Sequence, residues 1–356
     1  MTSNALTGDS GPAGDGPERG ERALVLDGPG HCEIAVRPRS RAGPGELLLA
    51  PLAVGLCATD VELLEGTMVY LRTGKSRLPL VPGHEWVARV LDAPADTRGP
   101  SPGDVVVGEC SIGCARCAAC ASGAYHQCAR RRETGVVGLD GALAETMVFP
   151  ARSAHAVPAG TSVEDAVFAE PTAVALRAVL RSSCRPGGSA LVVGGGTVGW
   201  LVSAILMDLV HADVAALEPD ADRMDRLRRL GVRGSSDGER FDVVVEASGN
   251  PAGLTSGLAR LAPRGRCVVI GLSGGEPTPV DVDRLVVDDQ VLLGSLGSPG
   301  VWPQALGLLG RGRVRPSALI THRFPLGRAP EALQLLRARA PGLGKVVVAP
   351  QEPDQG

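Results

Sequence analysis

Residues 191–205 read LVVGGGTVGWLVSAI. A β-branched apolar run passes into a glycine-rich turn, and the turn opens an apolar segment of helical length. Gly194, Gly196 and Gly199 make the pattern G-x-G-x-x-G. Alone that pattern is weak, because glycine-rich turns are common. Its context here is stronger: a strand precedes it, a helix follows, and the next strand, DVAALE, ends on the acid Glu218. A dinucleotide site needs each of these parts. Gly194 would permit the tight turn, Gly196 would let backbone approach a pyrophosphate, and Gly199 would let helix and strand pack closely. Thr197 and Val198 open the helix, where a pyrophosphate sits. Glu218 would accept hydrogen bonds from the adenosine ribose and repel a 2′-phosphate, so NAD is expected over NADP. Arg223 lies near enough in sequence to soften that repulsion. The competing reading of Glu218 is a solvated carboxylate at a helix start.

Outward from this turn, residues 172–182 read as a helix, and helices are also expected over about 198–209 and 220–230. The segments DVVVEASG, RCVVIGL and QVLLGSLG supply further strands. Alternating strands and helices predict a doubly wound parallel sheet. Only GVRGSSDGER separates the helix ending near Leu230 from the strand beginning at Phe241. A full strand and helix do not fit there, so the third strand should be rudimentary and its helix missing. Before Pro171 the texture differs. Short strands at 22–27, 32–37, 46–54, 86–91 and 104–108, punctuated by Gly and Pro, predict a β-rich, barrel-like half. The tail, with helices near 300–310 and 328–339 and a strand at 345–349, matches neither half alone.

Composition narrows the classes. The chain has 356 residues, 44% of them apolar, and a net charge of -3, which suits about two domains and argues for neither a nucleic-acid nor a membrane partner. No apolar stretch is long enough to span a bilayer. Lysine occurs only at Lys75 and Lys345. Residues 1–20, rich in Gly, Ser and Pro without an apolar segment, read as a disordered leader with no secretory signal, which points to the cytoplasm.

GCARCAACASGAYHQCARR, residues 113–131, crowds Cys114, Cys117, Cys120 and Cys128 together. Disulfides suit small secreted domains, whereas clustered thiols in a reducing compartment bind metal. A bacterial iron–sulfur run would have a last gap of three followed by proline; here the gap is seven and Ala129 follows. Four thiolates suit a closed structural zinc site, against the alternatives of an iron–sulfur cluster or four unrelated core cysteines. Three further motifs carry candidates for an open site: GLCATD with Cys57 and Thr59, VPGHEW with His84 and Glu85, and AEPTAVAL with Glu170. A thiolate, an imidazole and a carboxylate can hold a catalytic zinc and leave a position free. Each also has a plainer reading, as a buried hydrophobe, a satisfied core histidine or a helix cap, and sequence spacing alone does not bring them together.

With these motifs in place, from about Arg22 to Pro350 the chain resembles the zinc-containing medium-chain alcohol dehydrogenases, the family of alcohol, sorbitol, threonine and glucose dehydrogenases. The resemblance rests on the four-cysteine loop, Cys57 with Thr59 and Asp60, Gly83-His84-Glu85, Glu170-Pro171, the 194–199 turn and LITHRFPL at 319–326. It implies a GroES-like barrel domain over 21–172 and 298–356, interrupted by a Rossmann domain over 173–297. It implies two zincs per chain: a catalytic one on Cys57, His84 and Glu170, and a structural one on the four clustered cysteines. A carboxylate at 170 resembles the polyol branch; ethanol-type enzymes use cysteine there. Glu85 would stand beside or transiently on the metal. Thr59 would pass the substrate proton toward the cofactor ribose, and Glu62 stands where many members have a relay histidine. A homo-oligomer, dimer or tetramer, is implied as well.

The stretch 62–86 should border the substrate. It carries Glu62, Glu65, Tyr70, Arg72 and Lys75, and its EGTM…TG…PGHEW pattern is similar to 2-deoxy-scyllo-inosamine dehydrogenases. The expected substrate is a small hydroxylated molecule: a polyol, sugar or (amino)cyclitol, the last met in antibiotic biosynthesis. The alternatives are a threonine or simple-alcohol dehydrogenase, and a non-catalytic NAD-binding relative. Loss of Cys57, His84 or Glu170 would favour the non-catalytic reading, and all three are present. Zinc-dependent nucleic-acid binding would need a basic patch, and Arg130–Arg132, the only local run, reads as a solvated face.

Overall fold

The computed structural model describes residues 20–352. The expected disordered leader, Gly20 apart, lies outside them. Two sheets dominate. Strands Ser189–Val193, Asp213–Leu217, Arg233–Gly234, Phe241–Glu246, Leu261–Val269 and Val291–Gly294 form one, all parallel, in the spatial order third, second, first, fourth, fifth, sixth. The order reverses at Ser189–Val193, so a crevice opens beyond its carboxyl end. The third strand is two residues long, and no helix intervenes before Phe241. That follows from the ten residues available.

The other sheet has seven strands, including Glu46–Leu56, Glu85–Asp92, Val105–Gly108 and Ala154–Ala156. The tail returns to it: Lys345–Ala349 runs antiparallel to Glu46–Leu56, and Ile320–Pro325 pairs parallel to Lys345–Ala349. This explains a tail that resembled neither half. The register sets Val346 against Leu56, and Gly55 against both Glu85 and Val347. Strand and strand-end residues separated by hundreds of positions therefore meet at one point.

Helix Ala169–Ser182 joins the two sheets. It begins three residues earlier than its periodicity suggests, with Pro171 in the first turn, where a missing N–H costs nothing. Its buried face is mostly small, with Ala169, Ala173, Ala175 and Ala178 among Leu176 and Val179. One apolar core packs these residues against Ala53, Val87 and Val107 of the seven-stranded sheet and Val192, Val245 and Val268 of the parallel sheet. A second core fills the barrel-like half, where Trp86 meets Phe149 edge-on at 4.8 Å. Helix Pro251–Ala259 is not evident in the sequence. Gly253 and Gly257 depress its propensity, yet a Cβ at Gly257 would lie 3.0 Å from Val244, so glycine lets this helix sit close on the sheet. No helix among the described residues is long and apolar enough to cross a membrane.

Candidate active site

A cleft of about 610 Å³ runs between the two sheets and takes in Cys57, His84 and Glu170 at one end and the glycine turn at the other. The turn is built as its sequence requires. Gly194 has φ 94°, a left-handed conformation that favours glycine, and a Cβ there would lie 2.8 Å from Ser248 N. A Cβ at Gly199 would fall 1.8 Å from the Gly194 carbonyl, so only glycine lets the helix approach. Nothing lies within 4 Å of a Cβ at Gly196, the open side where a phosphate group can reach backbone. Helix Thr197–Val210 starts with no side chain capping its amides, and Thr197 and Val198 line the cleft. The Glu218 carboxylate folds onto the turn, accepting from Gly195 N at 2.5 Å and Asp220 N at 2.8 Å. Arg223, in the first turn of helix Ala221–Leu230, lines the cleft. These features fit a dinucleotide.

At the other end Cys57 closes the Glu46–Leu56 strand and precedes helix Ala58–Glu65. Its Sγ lies 3.2 Å from His84 Nε2. His84, Glu85 and Glu170 bring ligand atoms within 4.8 Å of one another, as do Cys57, Asp60 and His84. The two groups share His84, so the three expected ligands surround it. Glu170 does not cap its helix: the N-cap is Phe168, and Glu170 sits in the first turn, facing the cleft. Burial pushes its carboxyl up to about 7, against the pull of His84. Burial alone would lower the His84 pKa, but Cys57, Asp60 and Glu170 outweigh it and hold the ring well above the usual range. Nδ1 of His84 is buried and has no hydrogen-bond partner among the described residues. A thiol and three carboxyls, buried or half-buried around one imidazole, are the chemistry of a cation site, and the donor set fits zinc.

Further neighbours complete this end. Asp60, fully buried, accepts from Cys57 N at 2.9 Å and Gly83 N at 3.3 Å and stands 3.8 Å from His84 Nδ1. It thereby fixes the backbone of Cys57 and of the residue preceding His84 at once, a role the motif alone did not reveal. Lys345, also buried, donates to Leu56 O at 3.1 Å and forms an ion pair with Glu85. Gly55 makes room for that pair, since a Cβ there would lie 2.7 Å from Glu85 Oε2. Thr59 and Glu62, one turn apart on a helix, both face the cleft, and burial pushes Glu62 up. Of the expected substrate-bordering residues, Glu62, Glu65 and Tyr70 line the cleft. Arg72 instead reaches across to Gly274 O at 2.5 Å, and Lys75 lies behind the wall, its ammonium 4.8 Å from the centre of the Tyr70 ring. The Arg130–Arg132 run is not simply a solvated face. The Arg131 side chain is largely covered and bound to Glu133 and Tyr70.

The four-cysteine loop forms its own lobe. The Sγ atoms of Cys114, Cys117, Cys120 and Cys128 lie within 4.8 Å of one another, with Cys117 at 3.6 Å from Cys120 and 3.7 Å from Cys128. A tetrahedral ion with zinc–sulfur bonds of about 2.3 Å separates sulfurs by roughly 3.8 Å. Arg130 donates to Cys114 Sγ at 3.3 Å and, through its backbone, to Cys128 Sγ at 3.4 Å, which suits thiolates. The donors fit a closed site.

Comparison with known proteins agrees with the fold. Residues 43–159 match the alcohol dehydrogenase GroES-like domain, and residues 212–311 the zinc-binding dehydrogenase domain. The chain is 30% identical over 347 residues to an L-threonine 3-dehydrogenase of Pyrococcus horikoshii, covering 91% of this chain and 97% of that one. It is also 30% identical over 345 residues to an erythritol/L-threitol dehydrogenase of Mycolicibacterium smegmatis, covering 88% and 94%. A zinc-binding dehydrogenase of Sinorhizobium meliloti solved with NADP superposes with a TM-score of 0.86 at 26% identity, over 94% of this chain and all of that one. Fold and site together define a zinc-dependent oxidoreductase acting on CH–OH groups. The chain belongs to the zinc-containing medium-chain alcohol dehydrogenase family.

Proposed function

We propose that the chain oxidises a secondary alcohol of a polyol, sugar or (amino)cyclitol, with NAD as hydride acceptor. The observation that carries this reading is a cleft whose candidate zinc end is walled by carboxylates, Glu62, Glu65 and Glu133, and by Tyr70. Hydroxyl-rich and amino-bearing substrates offer donors to such a wall. Its likeness at 62–86 to 2-deoxy-scyllo-inosamine dehydrogenases supports an amino-cyclitol of the aminoglycoside type.

Cys57, His84 and Glu170 would hold one zinc, and Cys114, Cys117, Cys120 and Cys128 a second. When bound in the open site, zinc would supply the Lewis acidity that acidifies a hydroxyl, and a nicotinamide held in the cleft would supply a hydride acceptor. The chain does the rest. Asp60 holds Cys57 and Gly83 in place. Lys345 neutralises Glu85 and keeps it beside the site. Thr59 accepts the hydroxyl proton, and Glu62, one turn on, is placed to carry it outward. Gly196, Thr197 and Val198 receive the pyrophosphate, while Glu218 favours NAD over NADP. We divide the chain at 172/173 and 297/298 and assign it to the cytoplasm as a homo-oligomer.

A second reading, a threonine dehydrogenase, draws on the Pyrococcus horikoshii relative. Comparing amino-cyclitols, inositols, sorbitol, glucose, threonine and ethanol at equal concentration, by NADH formation, decides between them. Best turnover among the polyols or cyclitols is expected; threonine or ethanol turned over best would overturn the proposal.

A further inference from the structure

The wall of the metal-binding end contains a charged group that neither the proton path nor the cofactor cradle uses. Glu133 lies on the short strand Arg132–Thr134, and its side chain is 7% exposed. Arg131, 8% exposed, donates from Nε to Glu133 Oε1 at 2.5 Å and from Nη2 to the Tyr70 hydroxyl at 2.8 Å. The Tyr70 ring is itself held, with the Lys75 ammonium 4.8 Å and the Arg131 guanidinium 5.5 Å from its centre. One cation thus fixes both an anion and a phenol.

The hydrogen-bonding capacity left over faces the cleft. Glu133 and Tyr70 both line it, beside Cys110 and Ser111. Arg131 occupies Oε1 of Glu133, and no hydrogen bond among the described residues reaches Oε2. Tyr70 accepts from Arg131, so its own O–H remains free to donate. Glu133 is also close enough to the candidate zinc ligand Glu170 for its charge to add to the upward push on that carboxyl. A rigid acceptor and a rigid donor therefore stand next to the place where the carbinol must lie.

We propose that Glu133, held by Arg131 and paired with Tyr70, is the specificity-determining residue of the site, selecting substrates that carry a second hydroxyl or an ammonium group near the carbon being oxidised. This rests on the polyol reading above and narrows it. A neighbouring donor binds Oε2, and a neighbouring oxygen receives the Tyr70 O–H. A plain alcohol offers neither group a partner, and a site built to hydrogen-bond a substrate's polar groups discriminates more strongly than one that loses only apolar contact.

The test is a cycle of substrates against variants. The substrates are a cyclitol or amino-cyclitol and its deoxy analogue lacking the neighbouring hydroxyl or amino group. The enzymes are the holoenzyme, Glu133→Gln and Tyr70→Phe. Glutamine keeps an oxygen for Arg131 but presents N–H where Oε2 was. The wild type should prefer the full substrate. Glu133→Gln should shrink that preference about 10- to 100-fold, with kcat/KM for the deoxy analogue little changed. Tyr70→Phe should shrink it by a smaller factor. Unchanged discrimination in both variants, or equal loss on both substrates in Glu133→Gln, would overturn the assignment of Glu133. A wild type that prefers the deoxy analogue or threonine would instead overturn the polyol reading beneath it. If Glu133→Gln does not fold, Tyr70→Phe decides: intact discrimination refutes the proposal, and reduced discrimination with unchanged turnover of the deoxy analogue supports it.

Discussion

Single residues carry two predictions. Replacing Lys345 by methionine leaves Glu85 charged and unpaired in a buried position, and removing one partner of a buried pair costs about 3–5 kcal/mol. Denaturant unfolding of Lys345→Met should show a loss of that size, and a loss below about 1 kcal/mol would mean the pair is unimportant. Glu218→Ala removes the carboxylate that stands by the glycine turn. The ratio of kcat/KM for NAD over NADP should fall about 10-fold or more; an unchanged ratio would show that Glu218 does not choose the cofactor. Motif residues were legible at this scale because their type and local context declare them: Gly194, Gly199, Cys57 and His84. Their partners were not. Lys345 meets Glu85 across 260 positions, and Arg131 finds its place only when two short segments pack on Tyr70. Such meetings depend on strand register, which no local pattern encodes.

Among the elements, the doubly wound sheet and its truncated third unit could be read from alternation and from the ten-residue gap, since both are local constraints on length. The Pro251–Ala259 helix could not, because its glycines serve packing at the expense of propensity. The four-cysteine lobe was evident from spacing, but its docking was not. The Tyr125 hydroxyl accepts from Gly300 N at 3.3 Å, and Arg177 bridges His126 and the carbonyl of Leu296. Leu296 and Gly297 line the cleft, so the lobe braces its wall. Cys117→Ser should therefore bind about one zinc fewer per chain and melt lower, by on the order of 10 °C. Calorimetry with metal analysis checks this, and an unchanged melting temperature would contradict a structural role.

For the whole molecule, the parallel sheet ends on an open edge. Among the described residues strand Val291–Gly294 has one partner, Leu292 is 37% exposed, and helix Val282–Val287 presents Val286 and Val287 at 74% and 82% exposure. An unpaired edge beside exposed apolar side chains is a template for association. We expect light scattering to find an oligomer, and Val286→Asp with Val287→Asp to weaken it; a monomeric wild type would contradict this. The central claim is that one chain holds two metals with different work, an open site for chemistry and a closed one for structure. Zinc content measured beside NADH formation tests it most directly. The wild type should hold two zincs. His84→Ala should hold about one, keep its fold, and lose on the order of 10³-fold in kcat/KM. A wild type with a single zinc or an iron–sulfur cluster, or full turnover in His84→Ala, would contradict the account.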